Sequence, residues 1–332
     1  MHLCMLNIPL KNIAFWFTHV GLILTMLFAG LGHFEFQKLH VRAFKELPEN
    51  IAICDKRNLF ELPFRITLKN FEAEFYDNHQ PKSYKADLVL QNHDTKKEAV
   101  LQVNHPARFM GYDIYLSSYD RSNPDPDYAI LLIVYDPWVY TKYVGIIMLL
   151  IGLFLYIWKL KFVDNRVVFS FILLLGLGFL FIPFSPYLFG GKNLVPALQS
   201  WWFVPHIAVY MFAYASLSIA CLLGVYMLVN RKDVLQYALF SLQFGTYLMG
   251  IGLLFGALWA KEAWGNFWSW DLKEIWAGIA WIAFLMVLHF NYVYKNRRKT
   301  LSILIIIAFL LLQMCWFGIN YLPKASQSLH VY

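Results

Sequence analysis

Seven long runs of apolar residues constrain this chain more than any other feature. They are Ile13 to Leu31, Gly145 to Trp158, Val167 to Ile182, Ala208 to Val229, Val234 to Leu258, Ile275 to Val293 and Leu301 to Ile319, and each is nearly free of charge. A helix needs about 20 apolar residues to cross the hydrocarbon core, and these runs reach that length alone or with their flanks. Backbone groups in lipid must be satisfied internally, so the runs are expected to be helices. Only 15% of the 332 residues are charged, against about 25% in soluble domains. Lys11 followed by an apolar stretch also fits a secretory signal. The stretch is long for one and carries His19, so it is read as a retained first span.

The net charge of +7 does not point to nucleic acid. The positive residues cluster at span ends: Lys159, Lys161 and Arg166, then Arg231 and Lys232, then Lys295, Arg297, Arg298 and Lys299. Every second short loop is basic, and the positive-inside rule places those loops in the cytoplasm. Residues 32–138, residues 184–205, residues 259–273 and the C-terminal tail then lie outside. The fold expected is an α-helical polytopic membrane protein of about seven spans with an inserted extracytoplasmic β-rich domain.

That insert, residues 32–138, alternates polar and apolar residues at Phe64 to Lys69 and Asp87 to Gln91. Ala99 to Val103, Tyr112 to Ser118 and Ala129 to Tyr135 also read as strands, and Asn92 to Lys97 as a turn. A small antiparallel domain between the first span (13–31) and the second (139–158) is the expectation. Cys4, Cys54, Cys221 and Cys315 form no CxxC pair, which argues against a thiol–disulfide exchanger and a cysteine metal site.

Six of the chain's 12 tryptophans, Trp259, Trp264, Trp268, Trp270, Trp276 and Trp281, lie within a short stretch. An interfacial belt takes one or two aromatics per helix end. Several indoles in an external loop at 259–273 suit a large, flat, conjugated ligand, whose faces they stack on and whose polar rim their N–H groups reach. Haem has that chemistry.

Histidine within a span is a functional candidate by default. His19 lies roughly 10 Å into the first span and His289 roughly 9 Å above the basic end of the sixth, so the two are expected at similar depth. His206 opens the fourth span on the outer side and His330 lies in the tail. Each pair is a candidate for two axial ligands on a haem iron. The alternative for each is a packed or hydrogen-bonded histidine.

The stretch Trp264-Gly265-Asn-Phe-Trp268-Ser-Trp270-Asp271 resembles the "WWD" signature of the haem-handling family that includes CcsA, CcmC and CcmF. Leu272 stands where that family usually has proline, ahead of Lys273 and Glu274. The contexts of His206 (Leu198 to Trp201 before it), His289 and His330 (Ser328 to Tyr332) are similar to CcsA, and this likeness covers residues 163–332 with five spans. Residues 1–160 resemble the CcsB, or ResB, partner. The features are His19-Val-Gly-Leu-Ile-Leu, Val103-Asn104-His105-Pro106 and Gly111-Tyr-Asp113-Ile-Tyr115.

The resemblance implies a CcsB–CcsA fusion of System II in a bacterial cytoplasmic membrane. It implies haem b held as a bound substrate by His206, His330, His19 and His289, with Trp264, Gly265, Trp268, Trp270 and Asp271 shaping the site. Thioether attachment to the CxxCH of an apocytochrome c would follow, with lipid around the spans and a thioredoxin-like reductant as a further partner. Asp271 is expected to be a helix N-cap or hydrogen-bonding group rather than an iron ligand, and Lys261 and Lys273 to pair with propionates. Two rival readings remain: haem delivery without synthase activity, and an unrelated multispan transporter or sensor.

Overall fold

A computed structural model describes residues 10–54, 58–123, 126–188, 193–230, 234–295 and 297–322. Seven helices are long and apolar enough to cross a membrane. They are α1 (Leu10–Gly32), α2 (Val139–Trp158), α3 (Arg166–Leu188), α4 (Phe203–Asn230), α5 (Leu235–Trp264), α6 (Leu272–Val293) and α7 (Arg298–Trp316). Lipid tails are as apolar as leucine, so helix association depends on close packing and small residues. Gly152 of α2 shows this: a Cβ there would fall 2.8 Å from the backbone nitrogen of Thr18 on α1. The Thr18 and Thr25 hydroxyls donate to the carbonyls of Ala14 (3.0 Å) and Gly21 (2.8 Å), so neither faces lipid unsatisfied.

Helix α5 is the hub. It packs on α2, where Tyr156 and Tyr247 stack at 5.2 Å. It packs along α4, where the Ser216 hydroxyl donates to Ser241 O at 2.7 Å. Leu217, Leu242, Met249, Phe284, Ile305 and Leu312 join α4, α5, α6 and α7 in one buried cluster. Helix α3 leans on α4 and the start of α5 through a layer that includes Phe169, Ile172, Ala215, Phe240 and Phe244. At 30 residues, α5 is about 45 Å long, well beyond the roughly 30 Å hydrocarbon core. Its length therefore exceeds what the hydrocarbon core requires.

The insert between α1 and α2 is a single antiparallel sheet of eight strands in the order β5-β4-β3-β2-β1-β8-β7-β6. The strands are β1 (Gln37–Phe44), β2 (Glu49–Cys54), β3 (Leu59–Phe75), β4 (Pro81–Gln91), β5 (Lys96–Gln102), β6 (Ala107–Phe109), β7 (Tyr112–Tyr119) and β8 (Tyr128–Tyr135). The five segments and the turn expected from alternation are present. The strands β1 and β2, which the alternation did not single out, pair with β8 and β3. Alternate residues from all eight strands, among them Val41, Ala52, Phe64, Leu88, Leu101, Phe109, Ile114 and Leu131, fill one core. The sheet curls so that its ends meet, with Lys97 Nζ of β5 donating to Arg108 O of β6 at 3.0 Å. Met110 and Gly111 make the β6–β7 turn with φ of 49° and 84°, as a two-residue hairpin of this hand requires. At the exit to α2, Lys142 and Asp136 form a buried ion pair of 2.8 Å.

Candidate functional site

The β domain, residues 193–202 and residues 265–271 gather at one end of the bundle. The basic connections around Lys159 to Arg166 and Lys295 to Arg298 lie at the other. This alternation is the one the charge pattern predicts.

His206 sits in the first turn of α4 and faces α5. Two glycines make room for it and for the neighbouring Tyr210. A Cβ on Gly256 would lie 2.7 Å from the imidazole Cε1, and one on Gly252 would lie 2.6 Å from the Tyr210 ring. His206 Nδ1 is 2.8 Å from Gly252 O. A carbonyl only accepts, so Nδ1 carries the hydrogen and Nε2 carries the lone pair in the neutral ring. The rings of Tyr210 and Trp259 lie 5.0 and 5.9 Å from the imidazole. Trp259 in turn packs against Phe203 and Trp264, each at 5.3 Å.

The tryptophans are not all in a loop. Because α5 continues through Trp264, Trp259 and Trp264 are helical, and only residues 265–271 are left to connect α5 to α6. Trp276 lies on α6. Trp281 is deeper still on that helix, where its indole donates to Thr246 O of α5 at 3.1 Å. The Trp259 indole donates to Ala197 O at 3.0 Å. Both N–H groups are thus committed to backbone carbonyls and do not await a ligand rim. Trp268 differs: its Nε1 is buried with no hydrogen-bond partner among the described residues, while its ring meets Trp270 edge-on at 6.2 Å. Trp270 is 75% exposed and has φ of +62°, a conformation that bulky residues rarely hold and that is often found at functional sites.

Two residues of the motif are explained by local structure. Gly265 ends α5 with φ of +79°, the usual glycine position of a helix C-terminus. A Cβ there would also strike Val134 Cγ2 of the β domain at 2.8 Å. Asp271 caps α6: its carboxylate accepts from Glu274 N at 2.9 Å, and the Glu274 carboxylate accepts from Asp271 N at 3.3 Å. The same glutamate accepts from Ser269 N at 2.7 Å. This is the N-cap role expected from the sequence. The helix starts at Leu272 without the family's proline.

Lys261 does not wait for a propionate. It is buried and paired with Asp113 of β7 at 3.0 Å, and it donates to Gly265 O at 3.1 Å. The sequence placed this lysine in a loop, where it would be solvated; the extension of α5 turns it into the β domain instead. Beside it, burial and the Asp113 charge push the Tyr115 phenol far above its ordinary range, so it stays protonated. Glu262 faces the other way and accepts from Trp202 Nε1 at 2.8 Å.

The inner pair is less close than expected. His19 stacks on Phe15 at 4.0 Å and bonds Phe15 O through Nδ1 at 2.9 Å; His289 bonds Leu285 O through Nδ1 at 2.7 Å. Neither contacts the other. Helix α1 meets α2 at Thr18 and Gly152, and Leu153 and Trp281 both reach Gly250. His289 lies eight residues beyond Trp281, about 12 Å nearer the basic end. Equal depth was counted from span ends, and the packing offsets the helices. His330, the second outer histidine, lies outside the described residues.

Asn104, Asp113, Glu262, Gly252 and Gly256 were not singled out individually as site residues by sequence reasoning. Asn104 falls on a fixed position of the Val-Asn-x-Pro motif shared with ResB, and that was its signal; Asp113 falls on a variable position of Gly-Tyr-x-x-Tyr and had none.

The arrangement defines a multispan helical membrane protein whose external sheet is docked on a tryptophan-rich helix end beside a histidine. Residues 139–326 match the cytochrome c assembly protein family and residues 9–132 match the ResB-like family. The first match covers more than half of the chain, and the chain belongs to the cytochrome c assembly protein family. That match opens at α2, so α2 falls with the second half. Similar curated proteins are cytochrome c biogenesis proteins CcsA. The one from Chlamydomonas reinhardtii is 35% identical over 151 residues, 41% of this chain and 42% of that protein. Those from Atropa belladonna (34% identical, 39% and 55% covered) and Panax ginseng (32%, 39% and 56%) are comparable. The chain spans about half the length of these curated relatives.

Proposed function

We propose that this chain binds haem at the outer end of its bundle, at the surface of a bacterial cytoplasmic membrane, and promotes its covalent attachment to c-type apocytochromes. The observation that carries this reading is His206. Its imidazole sits in a glycine notch among aromatic rings, with Nδ1–H spent on Gly252 O. A backbone bond of this kind orients a histidine that binds metal through Nε2. Trp268 supports the same reading, because a buried N–H without a partner is costly, and the polar edge of haem would satisfy it. His330 is the proposed second axial ligand. His19 and His289, which packing offsets along the bundle, are each proposed as a ligand that haem meets as it enters from the cytoplasmic side.

In this reading the protein's residues chiefly position haem. The two histidines fix the iron, and the indoles and exposed Trp270 hold the ring so that its vinyl groups face outward. Each cysteine of a CxxCH segment adds its S–H across one vinyl group. Sulfur bonds to one carbon and the proton goes to the other, with no net oxidation. Holding haem and peptide together makes a bimolecular encounter local. Because the thiols must be free, a thioredoxin-like reductant is the expected upstream partner.

The test is the absorption spectrum of detergent-purified protein from haem-replete cells, with His206→Gly, His330→Gly, His19→Gly and His289→Gly variants and a co-expressed apocytochrome. Bound b-type haem, altered in the outer-pair variants and restored by imidazole, together with matured cytochrome, is the expected result. Bound haem without maturation would reduce the function to delivery. Protein without haem and without maturation would end the proposal.

A further inference from the structure

We propose that Asn104, from the ResB-like half, is a positioning residue for His206 on the other half. This inference rests on His206 being a haem ligand, and it assigns the external β domain a direct part in that site.

The segment before His206 has little structure of its own: one short helical turn at Pro196–Leu198. Donors from elsewhere hold its carbonyls. Asn104 Nδ2 donates to Pro196 O at 2.9 Å and to Ala197 O at 3.3 Å. Trp259 of α5 reaches the same Ala197 O, and Tyr76 of the β domain donates to Leu194 O at 3.3 Å. Glu262 then holds the Trp202 indole. His206 N donates to Trp202 O at 2.9 Å, so the imidazole hangs from the last residue of this suspended strap. The strap also holds itself, with Gln199 Nε2 donating to Leu194 O at 2.9 Å and Trp202 N to Ser200 Oγ at 3.2 Å, and Asn104 adds two bonds from the β domain.

The residue type fits the task closely. Asn104 has φ of +66° and is 5% exposed. Glycine, asparagine and aspartate are the residues that accept this backbone readily. Of the three, only asparagine carries an N–H donor, and two carbonyls demand one. Aspartate would set a carboxylate against them. Glycine would keep the turn and lose both bonds.

The experiment uses the full chain in detergent, purified from haem-replete cells, as wild type, Asn104→Gly, Asn104→Asp and His206→Gly. Two readouts are taken: hydrogen exchange over residues 194–206, and the reduced haem spectrum with and without imidazole. Asn104→Gly is expected to speed exchange in that segment about tenfold, the worth of one buried hydrogen bond, while the β-domain strands keep their protection. Its haem spectrum is expected to move toward that of His206→Gly and to return with imidazole, and Asn104→Asp should do the same more strongly. Unchanged exchange overturns the proposal. So does a wild-type spectrum in both Asn104 variants when His206→Gly alters it. If His206→Gly itself leaves the spectrum unchanged, the ligand assignment falls with this inference's consequence for haem, and exchange alone upholds or overturns the clamp.

Discussion

At the scale of single residues, the site depends on where side chains are missing. Gly252 and Gly256 are notches in α5 that a ring from α4 fills. A methyl group on Gly256 would sit 2.7 Å from the imidazole Cε1 and 2.9 Å from Nδ1, too close for both to stay. Gly256→Ala is therefore expected to push the ring off Gly252 O. Overpacking of this kind costs about 1–3 kcal/mol. The haem spectrum should come to resemble that of His206→Gly, with imidazole restoring it. An unaltered spectrum would mean that His206 does not bind iron from this notch. The motif's glycine was legible in the sequence as a motif position, whereas these two were not. A glycine in an apolar helix shows its purpose only when the opposing side chain is known.

At the scale of elements, α6 begins as its capping residues dictate. Asp271 and Glu274 satisfy each other's backbone N–H groups, so the helix holds its start with leucine at the first position. Asp271→Asn keeps an acceptor and is expected to leave the melting temperature near wild type. Asp271→Ala is expected to cost about 1 kcal/mol. Leu272→Pro is expected to be tolerated, because a first-turn N–H has no helical partner and Asp271, with ψ of 163°, already has the extended backbone that precedes proline. Thermal unfolding of the three variants in one detergent checks this. A large loss in Leu272→Pro would show that the proline of related proteins requires a different loop. The end of α5 was misjudged for a related reason: charged Lys261 and Glu262 look like a loop in sequence, yet both are helical residues with buried or half-buried partners.

At the scale of the whole molecule, the two halves are joined by polar contacts around one helix end. Lys261 and Asp113 form an ion pair among them, with 4% and 15% of the side chains exposed. Removing Asp113 strands the buried Lys261 charge, which costs about 3–5 kcal/mol, whereas removing Lys261 leaves Asp113 with Arg108 at 3.6 Å and costs less. Lys261→Met and Asp113→Leu are each expected to loosen the β domain from the bundle, and the double variant to recover most of the loss. Proteolytic susceptibility of residues 193–202 and thermal unfolding would measure that cycle. Additive losses would show that the pair does not join the halves.

What the sequence determined by itself is whatever local chemistry settles. The seven spans follow from run length, the main strands from alternation, and the α6 cap from residues three apart. Strands β1, β2 and β6 were not singled out, although Leu39, Val41 and Ala43 of β1 alternate with polar residues. The tertiary structure decided which distant groups meet: Asn104 with Pro196, Lys261 with Asp113, His206 with Gly252. It also decided that His19 and His289 bond separate backbone carbonyls and that Trp259 and Trp264 are helical. In a soluble helix the apolar stripe reveals the packed face. In a span every face is apolar, so the sequence carries no such stripe, and neighbours, offsets and notches are set by how the helices pack.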